Sequence, residues 1–124
     1  MQTRTSKQLL GDAGETAAAG ALERLGYRLL ARNVHCRCGE LDLVMEKDGV
    51  LCFVEVRTRA NAVWGDPSGT VSWTKQRRVV KSALEYIQKA RVSARMIRFD
   101  VVSVLGSGDA LKVEHIPNAF DAGM

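Results

Sequence analysis

The sequence lacks the features that define several large classes of protein. No run approaches the roughly 18 consecutive apolar residues that a membrane-spanning helix requires, so a helical membrane protein is excluded. Residues 1–15 contain no apolar segment of the secretory type, and we therefore expect a cytoplasmic protein. Only 2 prolines and no repeats occur in 124 residues, which excludes collagen-like and low-complexity chains. This length predicts one domain over 1–124, with an ordered core over about 8–116.

Cysteine is also scarce. Cys36, Cys38 and Cys52 are odd in number, and without an export signal they are expected to be reduced thiols. His35 beside the first two suggests zinc, but a structural zinc site needs four ligands, usually in two spaced pairs. The only further candidates are Cys52 and His115, so zinc is not predicted. Cys52 is interpreted as a small core residue.

Charge of neither sign dominates strongly. The 18 Lys and Arg residues against 14 Asp and Glu give a net charge of +4. This excess is compatible with a polyanionic partner but is not diagnostic of one. The chain has no glycine-rich phosphate loop and no serine in a nucleophile elbow, so no nucleotide cofactor and no serine-hydrolase chemistry is predicted.

Hydrophobic periodicity predicts an α/β domain. An apolar stripe through Leu10, Ala13, Ala17, Ala21 and Leu25 indicates a first helix, and one through Val80, Ala83, Leu84 and Ile87 a second. Pro117 is expected to end the last strand and leave a frayed tail. The predicted elements are a helix over 8–26, strands over 27–34, 39–47 and 51–59, a helix over 72–91, and strands over 96–105 and 110–116. The order α-β-β-β-α-β-β predicts a mixed central sheet flanked by helices.

The turn between the second and third strands fixes a register. Asp48-Gly49 is a strong hairpin signal, and a two-residue turn there makes Lys47 face Val50. Continued along the strands, this register places Asp42 opposite Glu55. Directly opposed side chains have Cβ atoms about 4.5–5.5 Å apart.

Two opposed carboxylates repel each other unless a cation binds between them or one is protonated or paired. Hard ions such as Mg²⁺ or Mn²⁺ take oxygen ligands of this kind. Glu55 lies in an otherwise apolar stretch, where an unsatisfied carboxylate would be costly. The same register puts Glu40 opposite Arg57, so ordinary cross-strand ion pairs on a half-exposed sheet face are the alternative interpretation.

Glu15 lies at the edge of the apolar stripe of the first helix. From there it could reach a metal or water above the sheet, or it could be a solvated acid near the helix start.

A basic cluster opens the second helix, directly after Trp73. A charge run on a helix is usually a solvated face, but exposed Trp beside Lys and Arg also suits contacts with nucleic acid. The residues predicted to contact nucleic acid are Arg59, Trp64, Lys75, Arg78 and Lys81.

Several short segments together resemble the YraN family of small bacterial proteins. The similarity extends over about 8–116, and its most specific parts are Gly39-Glu40-Leu41-Asp42-Leu43 and Phe53-Val54-Glu55-Val56-Arg57-Thr58-Arg59. The other matching positions are Gly14-Glu15, Gly26-Tyr27, Arg32-Asn33, Gly65, Lys75 and Arg98-Phe99-Asp100-Val101.

The resemblance implies a restriction-endonuclease-like fold, similar to that of the archaeal Holliday-junction resolvases. It implies a nuclease acting on DNA, branched or damaged DNA included, with Mg²⁺ or Mn²⁺ held by Asp42, Glu55 and the Val56 carbonyl. Glu15 would be the helical acid, and Arg57 would occupy the position of the family's catalytic lysine. The resolvases work as dimers, so a homodimer is also implied.

Arg57 departs from that lysine. A guanidinium supplies positive charge but stays protonated, so it cannot serve as a base. Two other classes of function therefore remain open: a catalytically inactive nucleic-acid-binding module of the same fold, and a protein-interaction domain that uses the loop around Trp64. The Asp42/Glu55 pair favours the nuclease, whereas Arg57 favours the binding module.

Overall fold

A computed structural model describes residues 5–61, 71–93, 96–106 and 110–123. The predicted order of two helices and five strands is confirmed. The elements are α1 (Ser6–Arg24), β1 (Arg28–Cys36), β2 (Gly39–Lys47), β3 (Val50–Arg59), α2 (Trp73–Ala90), β4 (Met96–Leu105) and β5 (Lys112–Phe120). Within the described ranges, neither helix combines the length and apolarity needed to cross a bilayer.

The five strands lie in the sheet in their chain order. β1, β2 and β3 form an antiparallel meander, and β5 is antiparallel to β4. β4 is parallel to β3, because α2 carries the chain back across one face between them. The sheet is therefore mixed, as predicted.

The helices cover opposite faces of the sheet and enclose two cores. The α1-face core consists of Ala18, Ala19, Leu22, Leu43, Met45, Cys52, Val54, Val102 and Val104. The α2-face core consists of Leu41, Val44, Leu51, Phe53, Val79, Val80, Ala83 and Phe99. The interpretation of Cys52 as a core residue is confirmed.

The predicted apolar stripe of α1 is wrong by about one position. The residues that α1 buries are Gly14, Ala18, Ala19 and Leu22, whereas Ala13 and Leu25 are exposed. Alanine occurs on several sides of this helix, so periodicity does not distinguish its faces. On α2, Val80 and Ala83 are buried as predicted and Ile87 packs against the core, but Leu84 is half exposed.

β5 continues past Pro117 to Phe120, contrary to the prediction. It is an edge strand, where proline removes no obligatory ladder bond. The register shifts between Phe99 and Val101, and Asn118 adopts a positive φ of 51° there. Phe120 then stacks on Phe99 with ring centroids 5.2 Å apart, which seats the tail on the α2-face core.

A buried carboxylate fixes this extension of β5. Asp100 has no solvent exposure, and each of its oxygens accepts a 2.8 Å bond from Arg98. His115 Nε2 lies 2.8 Å from the same carboxylate, and the Asn118 N–H donates to it at 3.0 Å. Arg98 also donates to the Tyr27 hydroxyl at 2.7 Å. These partners lower the pKa of Asp100 although burial alone would raise it.

Candidate functional site

The hairpin register is confirmed over five residue pairs. Asp48 and Gly49 have φ values of 53° and 80°, the positive pair that a type I′ turn requires. From Lys47 facing Val50, the pairing runs to Leu43 facing Val54 and ends there. The hairpin is therefore open at the end where Asp42 and Glu55 lie.

Asp42 occupies the point where this pairing stops. Its Oδ2 accepts a 2.9 Å hydrogen bond from the Val56 N–H, so a side chain takes the place of a backbone partner. Residues two apart in a regular strand point to the same face, but Leu41 belongs to the α2-face core and Leu43 to the α1-face core. This irregularity lets the Asp42 carboxyl reach β3.

Glu40 does not pair with Arg57 as the extended register predicted. Beyond Leu43 the β2–β3 ladder is not continued, and Glu40 instead faces His35 of β1. His35 Nδ1 lies 3.1 Å from Glu40 Oε1.

Glu55 is buried and forms an ion pair with Lys75, a residue of α2. Glu55 is 5% exposed, and its Oε1 lies 2.5 Å from Lys75 Nζ. Lys75 stands in the first turn of α2, where its N–H donates to the capping hydroxyl of Ser72 at 3.2 Å. Burial raises the pKa of Glu55, and the hydrogen bond and charge of Lys75 oppose that rise.

Asp42 and Glu55 share the negative charge of the site. Burial and then the charge of Glu55 raise the pKa of Asp42 to about 7. A hydrogen bond between the carboxyl groups raises the pKa of Asp42 and lowers that of Glu55, so the two acids titrate as a pair. The predicted pair of interacting acids is therefore present, and protonation together with Lys75 relieves its repulsion.

α1 contributes a third acid, as predicted for Glu15. Burial, followed by the charge of Asp42, raises the pKa of Glu15. Arg32 Nε lies 3.4 Å from Glu15 Oε1, and Arg32 also donates to the Asp12 carbonyl at 3.0 Å. Asn33 forms a side-chain hydrogen bond with Glu15. Glu15 is thus held beside Asp42 by two consecutive residues of β1.

A solvent-filled cleft gives access to these groups. It has a volume of about 240 Å³ and is lined by Lys7, Leu10, Gly11, Glu15, Asp42, Glu55, Val56, Thr58 and Lys75. A neighbouring hollow of about 400 Å³ shares several of these residues and adds Arg57 and Ser72. The four residues predicted to be catalytic, Glu15, Asp42, Glu55 and Arg57, therefore all line one continuous surface region.

The donor set of the cleft fits a hard divalent cation that keeps part of its water shell. Two carboxyl groups with raised pKa values, the half-buried Asp42 and the buried Glu55, interact here, and Val56 lines the same cleft. In the described ranges, no three His, Cys, Asp or Glu side chains form a ready-made metal site. Mg²⁺ commonly uses one or two carboxylates, with water and substrate phosphate completing its octahedron.

Of the residues predicted to contact nucleic acid, Lys75 lies inside the site rather than on an open helix face. Arg78 and Lys81 are exposed further along α2, and Trp73 is 73% exposed at its start. Arg59 is half-buried, and its Nη2 donates to Ser103 of β4 at 3.3 Å. Trp64, with the loop assigned to protein interaction, lies outside the described residues.

Sequence reasoning missed the contact of Lys75 with Glu55 and the contribution of Arg32 and Asn33. One signal for Asn33 is its residue type, because asparagine tolerates the left-handed conformation that it adopts within β1 (φ 54°). In the sequence, both β1 residues stand out only through the family resemblance.

Known proteins are similar to this chain over most of its length. The model of the family described as "Uncharacterised protein family UPF0102" matches residues 14–104. A UPF0102 protein of Myxococcus xanthus is 58% identical over 114 residues, covering 92% of this chain and 90% of its own. UPF0102 proteins of Geobacter metallireducens and Trichlorobacter lovleyi are 44% and 45% identical, each over at least 90% of both chains.

Proposed function

The chain belongs to UPF0102, the YraN family, and we propose that it is a divalent-metal-dependent nuclease that hydrolyses DNA. The observation that carries this proposal is the pair of the half-buried Asp42 and the buried Glu55, which lies at the open end of a hairpin and lines a cleft beside a basic helix. Acids placed in this way are costly to fold unless they serve a cation or a reaction.

We further propose that the mixed sheet and two helices represent the restriction-endonuclease-like fold. The similarity to resolvases noted from the sequence suggests branched or damaged DNA as substrate and a homodimer as the working unit. These finer assignments rest on analogy of fold and motif.

The proposed roles follow from the positions of the side chains. Asp42, Glu55 and the Val56 carbonyl would hold Mg²⁺ or Mn²⁺, which supplies positive charge to the phosphoryl oxygens. Arg57 at the rim of the hollow would stabilise charge on the reacting phosphate. Arg78 and Lys81 would hold the DNA backbone along α2.

Hydrolysis joins the oxygen of a water molecule to phosphorus and breaks the bond from phosphorus to one sugar oxygen. The water gives up one proton, for which we assign Glu15 as the acceptor, since burial and the charge of Asp42 raise its pKa. The departing sugar oxygen takes a proton from solvent. Arg32 and Asn33 position the Glu15 carboxylate for this step.

Thermal unfolding tests the cation site. Millimolar Mg²⁺ or Mn²⁺ should raise the Tm of the wild type by about 5 °C or more, because the ion binds only the folded chain. Asp42→Asn should be more stable than the wild type without metal and should lose the response. A wild type whose Tm is indifferent to both ions would contradict the site.

Cleavage assays separate the nuclease from an inactive binding module, the alternative that Arg57 favours. With Mg²⁺ or Mn²⁺, the wild type should cut DNA, Arg57→Ala should be about 10²–10³ slower, and Arg57→Lys should retain activity. An inactive module would leave linear, branched and single-stranded DNA uncut in all three proteins. Cleavage that survives in Asp42→Asn would indicate a contaminant and count against the assignment.

A further inference from the structure

Lys75 stands between the buried acids and solvent. Its side chain is 55% exposed, whereas that of Glu55 is 6% exposed, and their charged atoms are 2.5 Å apart. The ammonium therefore covers the solvent side of the carboxylate that faces the cleft. Any cation that enters from solvent to bind Glu55 meets Lys75 first.

This ammonium compensates the charge that a metal ion would otherwise compensate. Lys75 contributes one positive charge to a site with two carboxyl groups, Asp42 and Glu55, and its Nζ lies 2.5 Å from Glu55 Oε1. A divalent ion brings two positive charges, enough for both acids in their ionised forms. A metal and the ammonium on the same carboxylate would leave the site with surplus positive charge, so their binding is competitive.

We propose that Lys75 is an exchangeable internal cation, which leaves Glu55 when a divalent ion binds and then contacts the phosphate of DNA. The inference rests on the proposed function: the sequence predicts a nucleic-acid contact for Lys75, and the exchange with a metal ion is the addition. A lysine suits this exchange, because its compact ammonium sits on a flexible four-carbon stem.

Two consequences distinguish this exchange from a fixed structural ion pair. Metal binding uncovers a cation at the mouth of the cleft, so it should strengthen DNA binding, and DNA should strengthen metal binding by the same factor. The lysine also weakens metal binding in the absence of DNA, because the ion has to displace it.

Mn²⁺ binding without DNA is the first test, measured by the electron paramagnetic resonance signal of the free ion at pH 8, where protons compete little with the metal. Lys75→Met should bind Mn²⁺ roughly 5- to 10-fold more tightly than the wild type. Lys75→Gln keeps a hydrogen-bond donor without the charge, and the same direction is expected. Lys89→Met, a matched removal of an exposed cation from the same helix, should leave Mn²⁺ affinity unchanged.

The second test uses the wild type and needs no variant to fold. Acetylation of Lys75 by a water-soluble reagent, followed by mass spectrometry, should accelerate at least threefold when Mn²⁺ is added, with Lys81 as the internal control. Unchanged or weaker Mn²⁺ binding by the Lys75 variants, or unchanged labelling of Lys75, overturns the exchange and leaves the metal site standing. Absence of Mn²⁺ binding in the wild type and the variants overturns both.

Discussion

The carboxyl group of Asp42 links the stability of the protein to pH. Its pKa is about 7 in the folded chain against 3.8 as the ordinary value, so folding favours the protonated form. A group of this kind contributes stability below about pH 4, and the contribution is lost as the pH rises to about 7.

Replacing Asp42 should reveal that dependence. In metal-free buffer below pH 4, the free energy of unfolding should change with pH in nearly the same way in Asp42→Asn and in the wild type. Its advantage over the wild type should then grow to about 4 kcal/mol by pH 8. Urea unfolding at intervals between these pH values gives the difference directly. A difference that stays constant across the range would contradict the raised pKa.

At the scale of single residues, the sequence reveals the acids but not all of their partners. Asp42 and Glu55 can be predicted because a two-residue turn determines which strand positions face each other. The bond from the Val56 N–H to Asp42 could not be predicted, since it exists only where the ladder stops. Lys75 contacts Glu55 because α2 begins beside β3, and local sequence patterns do not specify this tertiary relation.

At the scale of elements, the close approach of α1 to β3 sets the position of Glu15. Gly14 faces Thr58, and a Cβ built on it would lie 2.1 Å from Thr58 Oγ1 and 3.0 Å from Thr58 Cβ. No side chain fits there without moving the helix or the strand. The glycine therefore lets the helix carry its neighbour Glu15 to the cleft.

Gly14→Ala should destabilise the protein by about 1–3 kcal/mol, because overpacking outweighs the better helix propensity of alanine. Gly11→Ala is the matched control, since a Cβ there meets no atom within 4 Å, and it should stabilise by up to about 1 kcal/mol. Denaturant unfolding measures both, and Thr58→Ala should restore part of the loss in Gly14→Ala. Equal effects at the two glycines would contradict the tight helix–strand contact.

Element boundaries follow the sequence closely where turn chemistry is explicit and less well where packing decides. β2 matches its predicted range, because Asp48-Gly49 and the strand pattern mark its ends. The buried side of α1 was misassigned, since small residues on several faces give periodicity little contrast. β5 runs beyond Pro117 because the buried carboxylate of Asp100 binds the chain after the proline, a tertiary contact without a local signal.

At the scale of the whole molecule, charge is organised around the cleft. The acids are recessed at the open hairpin end, while the exposed cations Arg78 and Lys81 lie along the helix that starts beside them. The exposed cations would attract the phosphate backbone of a polyanion to this surface. Lys75 would shield the recessed carboxylates from it.

Salt dependence of DNA binding tests that arrangement. For a duplex of about 20 base pairs, affinity should fall steeply between about 50 and 200 mM salt. Arg78→Met and Lys81→Met should each flatten the logarithmic slope by roughly one ion, as measured by fluorescence anisotropy. Arg28→Met, at the end of β1 that pairs with Glu46, is the control and should leave the slope unchanged. Unaltered slopes in both α2 variants would assign that face to solvent.

The general architecture was predictable from the order of the elements, because three hairpin-linked strands followed by a helical crossover leave few arrangements. The location of the functional surface depends on contacts between residues that are far apart in the sequence. Its acids come from α1, β2 and β3, whereas its lysine comes from α2, which packs on the opposite face of the sheet. These four elements meet at the open end of the β2–β3 hairpin only in the folded protein.

The first turns of α1 border the cleft, and this affects how the protein can be handled. Thr5 caps the helix, and Lys7, Leu10 and Gly11 line the same opening as the acids. A polyhistidine affinity tag joined ahead of Met1 would begin only a few residues from that opening. Imidazole is itself a common ligand of divalent transition metals. Titrations of such a fusion with Mn²⁺ would therefore report the tag together with the carboxylates, whereas protein from which a protease has removed the tag would avoid this.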